Sequence, residues 1–226
     1  MCARYTRSGG LIDYLVPLGI DRDPRASIDD ASPTWNVVPG TAQLVIYPDG
    51  GARRARWGYR PAWAEAKKLP PVINAKSEDL SGTWEAMVRR GRVIVPADHW
   101  YEWPPGADGG KQPYAIRRRD GAPLFMAGLC SLSPDAEPRP DDGFMIVTDA
   151  ADVGLIDVHD RRPVVFEPDV ARDWLNVNTL PDAAIEYACR LSLPAAEFVY
   201  YPVSRELNRT GPGSLDDARL VEPIGI

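Results

Sequence analysis

Nowhere in its 226 residues does the chain hold an apolar run near the roughly 18 residues that cross a bilayer. Its first residues, Met-Cys-Ala-Arg-Tyr-Thr-Arg, lack the apolar core of a secretory leader. A membrane protein is therefore not expected. Cysteine is scarce: Cys2, Cys130 and Cys189 are odd in number and far apart, which argues against a disulfide framework and fits a reducing cytoplasm. Histidine is scarcer, with only His99 and His159. Without clustered cysteines this speaks against a metal site, and no cofactor is expected. Internal repeats, low-complexity tracts and an evident linker are also missing, so residues 1–226 read as one domain.

Turn-forming residues are what the chain has in abundance: 19 Gly and 23 Pro favour many turns and short strands. The net charge of −6 at first argues against nucleic acid, but the charge is unevenly spread. Residues 1–119 carry 18 Lys and Arg against 13 Asp and Glu, whereas residues 120–226 carry 8 against 19. A local basic groove still attracts phosphate, because exposed charges more than about 10 Å apart are largely screened. Most of Arg53, Arg54, Arg56, Arg89, Arg90 and Arg117 to Arg119 read as solvated faces.

Short apolar alternations predict a hairpin from Gln43 to Trp57, turning at Pro48-Asp49-Gly50-Gly51. Further strands are expected at Val93–Val95, His99–Trp103, Pro113–Arg118, Leu124–Leu129, Phe144–Thr148, Arg161–Phe166 and Phe198–Val203. Helices are expected over 81–90, Ala151–Val158, Val170–Leu175 and Ala183–Leu191, with an irregular tail from Asn208. Consecutive strands with peripheral helices imply an α+β fold around a strongly curved, barrel-like, mostly antiparallel sheet. The Gly-rich stretch 106–111 lacks the spacing and the following Ser or Thr of a phosphate loop, and reads as a hairpin tip.

Five places could carry chemistry. If Met1 is removed, Cys2 becomes a 1,2-aminothiol whose amine and thiol can both add to one aldehyde; an internal cysteine has no such pair. Read by position alone, Cys2 is as readily part of a frayed terminus. Asn74 stands where an apolar strand turns polar, and its amide suits an amine or a sugar hydroxyl, although an Asn there more often turns the chain. Alternation puts Trp100 and Glu102 on one strand face, so Glu102 is either desolvated among aromatics or an edge residue reaching water. His159 opens His-Asp-Arg-Arg-Pro, either as a proton carrier with Arg161 and Arg162 gripping phosphate or as a surface His beside an Asp. Trp57 reads as core; Trp63, in a Pro-interrupted segment, is the better platform for an unpaired base.

In order, these features match a known pattern. Met1-Cys2-Ala3-Arg4-Tyr5, Trp35-Asn36-Val37-Val38-Pro39-Gly40-Thr41 and Trp57-Gly58-Tyr59-Arg60-Pro61-Ala62-Trp63 are followed by Ile73-Asn74-Ala75-Lys76-Ser77-Glu78. Then come Pro96-Ala97-Asp98-His99-Trp100-Tyr101-Glu102-Trp103, Lys111-Gln112-Pro113-Tyr114, Ala127-Gly128-Leu129 and His159-Asp160-Arg161-Arg162-Pro163. From residue 1 to about 205 the chain resembles the SOS-response-associated peptidase (abasic-site processing) family. The resemblance implies loss of Met1 and capture of a ring-opened abasic sugar in single-stranded DNA by Cys2 as a thiazolidine. It implies that Asn74 orients the amine and the sugar, that Glu102 shuttles protons, and that His159 assists at the Schiff-base stage. Arg4, Trp63, Lys76, Arg161 and Arg162 would line the strand path. Self-removal of Met1 and abasic-site lyase activity are further implied, with the protein a cytoplasmic monomer.

Three departures stand out: Ala3 replaces a usual Gly, which would strain a backbone of positive φ; Lys76 replaces a usual Arg, losing the bidentate fork; and the acidic second half weighs against high overall affinity for DNA. Three other readings compete. An N-terminal-nucleophile amidohydrolase would use the free amine as base. A papain-like peptidase would combine Cys2, His159 and Asn74. A non-catalytic single-strand binder would not need Cys2 at all.

Overall fold

In the computed structural model, which describes residues 2–21, 32–104, 110–151, 154–155, 159–211 and 213–225, two strands are buried on both faces. Every residue of Arg92–Ala97 and of Leu124–Cys130 is buried, so beyond Arg92 these segments read as near-continuous apolar runs. They pair antiparallel, Ile94 opposite Ala127, and the other layers form around them.

In chain order the elements are β1 (Tyr5–Arg7), α1 (Leu11–Leu15), β2 (Thr34–Val37), β3 (Ala42–Ile46), β4 (Ala52–Arg56), α2 (Ala62–Ala66) and β5 (Asn74–Lys76). They continue with α3 (Glu85–Arg90), β6 (Arg92–Ala97), β7 (His99–Glu102), β8 (Tyr114–Arg118), β9 (Leu124–Cys130) and β10 (Phe144–Ala150). Last come β11 (Arg161–Pro163), β12 (Val165–Phe166), α4 (Pro168–Leu175), α5 (Pro181–Arg190) and β13 (Phe198–Pro202). One sheet has the order β13-β8-β7-β1-β2; the other runs β11-β10-β9-β6-β3-β4, with β12 beside β9 and β5 beside β10. All of these pairs are antiparallel except β5 with β10.

The side-chain period of two divides the core. Ile94, Ala127, Met145 and Val147 face α3, α4 and α5, including the buried Trp174, whereas Val93, Val95, Met126 and Ile146 face the smaller sheet and meet Tyr5, Trp57, Trp100 and Ile116. Tyr101, Ala115 and Val203 lie on the far side of the smaller sheet under Leu207 and Leu220. The chain crosses between sheets at Asp98, whose Oδ2 accepts hydrogen bonds from Ser8 N, Ser8 Oγ, Gly9 N and Tyr14 Oη. Arg92 is buried and donates to the carbonyls of Val88, Trp174, Asn176 and Thr179, capping the ends of α3 and α4.

The α+β class holds, and the hairpin forms with Gly50 at φ 77° in its turn. The expected barrel does not: the strands divide between two open sheets, because β6 leads into β7 across the Asp98 corner instead of pairing with it. The expected strand 161–166 splits at Val164, where pairing passes from β10 to β9. The helix expected from 81 begins only at Glu85, after a turn. Most of the helix expected over Ala151–Val158, and most of the Gly-rich stretch 106–111, fall outside the described residues. The tail from Asn208 is irregular apart from short 3-10 turns, yet it is anchored, with Leu220 fully buried. No helix among the described residues is long and apolar enough to cross a membrane.

Candidate functional site around Cys2

Cys2 precedes β1 and is completely buried in the layer between the sheets, in the same cluster as Trp57, Trp100 and Ile146. Its Sγ lies 3.8 Å from the carbonyl of Arg4. Burial, and next the nearby Glu102 carboxylate, push the thiol above its ordinary range, so the thiol is held neutral. Asn74 opens β5 opposite Ile146 of β10 and donates through Nδ2 to the Cys2 carbonyl at 2.9 Å. A polar side chain is thus fixed against Cys2 by a parallel strand pair of only three residues. The buried Asn74 Oδ1 has no hydrogen-bond partner among the described residues, and neither do Thr148 Oγ1 and the Tyr5 hydroxyl. Thr148 sits two residues beyond Ile146 and shares its strand face.

Glu102 ends β7 on the face of Trp100 and is only 3% exposed, which selects the desolvated reading over the edge-strand one. Burial raises its carboxyl from an ordinary 4.5 to about 7, with the positive chain terminus acting the other way and Asp160 adding to the rise. Trp100, Glu102, His159, Arg161 and Arg162 line one small pocket. His159 Nδ1 accepts the backbone N–H of Arg161 at 3.0 Å and lies 2.8 Å from Asp160 Oδ1. The neutral ring suits the first contact and the protonated ring the second, which is a useful property in a proton carrier. Burial lowers its pKa, favouring the neutral ring at pH 7.

The residues expected along the strand path fall into different environments. Lys76 is exposed at the end of β5, two residues from Asn74. Trp63, on α2, is 45% exposed, its ring 6.4 Å from that of Trp84. Trp57 is core, as its strand position indicated. Arg161 already holds a bidentate pair with Glu78, at 2.7 and 2.8 Å, and a further bond to the Thr148 carbonyl. Arg162 is 4% exposed and donates to Ser192 Oγ; a direct grip on an exposed phosphate is not its geometry, because it faces inward from β11. Arg4 is half-buried, bonded to Asn36 Oδ1 and the Leu207 carbonyl, with its guanidinium 5.6 Å from the centre of the Trp103 ring. Of the arginines read as solvated, Arg54, Arg56, Arg89, Arg90 and Arg119 are exposed, whereas Arg118 is buried against Asp120 and Glu167.

Trp103, Lys111 and Asn208 join Ala3 and Arg4 around a second pocket; sequence reasoning assigned none of these three a role, since they are separated by up to 105 positions. Tyr5 and Thr148 were missed for a different reason, because their hydroxyls gain significance only from burial without a partner. The Ala3 substitution costs no backbone strain: Lys68 is the non-glycine residue with positive φ among the described residues. No group of three or more His, Cys, Asp or Glu able to hold a metal occurs among the described residues.

Known proteins resemble this chain over most of its length. The chain is 37% identical to the abasic site processing protein YedK of Escherichia coli over 99% of its own length and all of the relative's. It is 33% identical to YoaM of Bacillus subtilis, also an abasic site processing protein, over 92% of this chain and 93% of that one. Among solved structures, a phage-related protein of Bordetella bronchiseptica superposes with a TM-score of 0.75 at 37% identity, covering 90% of this chain and 95% of the other. A Bacteroides thetaiotaomicron protein shares the fold, with a TM-score of 0.79 at 20% identity over 99% and 100% of the two chains. Residues 1–210 match the family described as SOS response associated peptidase, and the chain belongs to that family.

Proposed function

We propose that this protein processes abasic sites in single-stranded DNA, capturing the ring-opened aldehyde through the amine and thiol of Cys2 once Met1 has been removed. The observation that carries this reading is the convergence on Cys2 of an amide bonded to its carbonyl, Asn74 at 2.9 Å, and a buried carboxyl near neutrality, Glu102. The amine attacks the aldehyde carbon and water leaves, giving a Schiff base. The thiol then adds across the C=N bond, its proton passing to nitrogen, and a five-membered thiazolidine closes. A neutral thiol suits this order, since the amine acts first and the sulfur needs to be unmasked only for ring closure. Glu102 is poised to give and take protons at neutral pH, as a group of pKa near 7 does best. It serves opening of the sugar and removal of Met1, and His159 assists at the Schiff base. Asn74 orients the Cys2 amine and the sugar. Lys76, Trp63 and Arg4 guide the strand, and Arg161 joins them when Glu78 releases it. Arg162 supports the wall of the Glu102 pocket. Strand cleavage at the captured site and a role in the response to DNA damage belong to the same proposal, as does action in the cytoplasm by a monomer.

The papain-like reading loses support here, because Asn74 is committed to the Cys2 backbone instead of orienting His159. The test is a denaturing gel of protein with single-stranded DNA carrying one abasic site, run beside Cys2→Ala. A denaturant-resistant band that needs both the lesion and Cys2 is expected. Its absence, from protein shown by mass to have lost Met1, would remove the capture mechanism.

A further inference from the structure

Among the described residues, the side-chain hydrogen bonds of Arg4 and Trp103 lead to the C-terminal segment, directly or through Asn36. Arg4 Nη1 donates to Asn36 Oδ1 and to the carbonyl of Leu207, both at 2.8 Å, which commits both of its hydrogens. Asn36 is itself fixed from the C-terminal side: its Nδ2 donates to the Leu215 carbonyl at 3.3 Å and its backbone N–H to Asp216 Oδ1 at 3.0 Å. The backbone N–H of Trp35 reaches the same Asp216 oxygen. Trp103, under the Arg4 guanidinium, donates to Asn208 Oδ1 at 2.6 Å, and Asn208 in turn donates to the Lys111 carbonyl at 3.0 Å. The segment can bear this load because Leu207 and Leu220 on either side of it are fully buried against Tyr101, Ala115 and Val203. Leu215, Asp216 and Leu220 lie beyond the family match, which ends at residue 210.

We infer that Asp216 is a positioning residue, holding Asn36 and through it Arg4, so that the C-terminal segment sets the direction of a phosphate-binding guanidinium two residues from Cys2. The inference rests on the reading of Arg4 as a phosphate contact. An arginine fork contributes to binding only when its free N–H groups are aimed, and a half-buried arginine without fixed acceptors would lose that aim. Both backbone donors converge on one oxygen, so an Asn at this position keeps the acceptor while losing the charge.

The experiment measures the salt dependence of binding to a single-stranded oligonucleotide carrying one tetrahydrofuran abasic analogue, which has no aldehyde and therefore binds reversibly. Arg4→Ala is expected to lower the log–log slope by about 0.7, the value for one phosphate contact on a single strand. Asp216→Ala and Asn36→Ala should lower it toward the same value, and neither should add to Arg4→Ala. Asp216→Asn should restore the wild-type slope, which separates positioning from the loss of a negative charge. Should Asp216→Ala fail to fold, Asn36→Ala decides, since it removes the Arg4 contact and one bond to Leu215 while leaving Asp216 on the backbone N–H groups of Trp35 and Asn36. If Arg4→Ala lowers the slope while Asp216→Ala or a folded Asn36→Ala leaves it at the wild-type value, the inference is overturned and the strand path stands. A wild-type slope for Arg4→Ala would overturn both.

Discussion

Replacing Glu102 by Gln should exchange activity for stability, in a way that depends on pH. The carboxyl is 3% exposed, and its pKa rises from 4.5 unfolded to about 7 folded. Between those values the folded state binds more protons than the unfolded one, so stability falls as pH rises from about 4.5 to about 7. Above pH 7 the full cost of an ionised, buried carboxylate is present, about 3 kcal/mol. Below pH 4.5 both states are protonated and the cost vanishes. Gln is uncharged throughout, so the variant's Tm advantage over wild type should be larger at pH 8 than at pH 4.5 by roughly 6–12 °C for a chain of this size. Parallel thermal melts at both pH values read this directly. In the gel assay the same variant should capture the abasic site about a hundredfold more slowly, as expected when a positioned acid–base group is lost, with little change in affinity for the tetrahydrofuran analogue. A Tm difference that is the same at both pH values would refute the desolvated carboxyl, whatever happened to the rate.

Two further outcomes follow from single contacts. Glu78 is more than half exposed while its partner Arg161 is not, so Glu78→Gln should free the guanidinium for phosphate, tighten single-strand binding at low salt and steepen the salt slope by about 0.7; weaker binding with an unchanged slope would show that Glu78 aims Arg161 instead of competing for it. Arg92→Ala would leave four carbonyls at the ends of α3 and α4 without their donor and should cost about 3 kcal/mol or more in denaturant unfolding; a loss below about 1 kcal/mol would mean that water replaces the guanidinium.

Much of the fold could be read along the chain, for reasons visible in particular strands. Alternation in His99–Glu102 placed Trp100 and Glu102 on one face, and the Pro-Asp-Gly-Gly turn located the β3–β4 hairpin, because both signals are local. The elements that escaped, β1, β2, α1 and α2, span only three to five residues each, too few for a period to show. The expected single curved sheet failed because alternation tells which face a side chain takes, but not which strand lies alongside. The crossing at Asp98 is set by four donors from residues 8 to 14, 84 to 90 positions away.

The same division runs through the site. The 1,2-aminothiol proposed for Cys2 depends on its place next to Met1 and on the loss of that residue, and the order of the motifs around it pointed to the family. Tertiary structure alone decided what each neighbour can do. Arg161 and Arg162 are adjacent in sequence, yet one is paired with Glu78 near solvent and the other is turned inward against Ser192. Asn208 and Asp216, in a tail without regular pattern, help hold Trp103 and Arg4 around the pocket that Ala3 also lines. Charge, hydrogen-bonding capacity and nucleophilicity belong to residues, whereas desolvation, pKa and aim come from groups brought together across the whole chain.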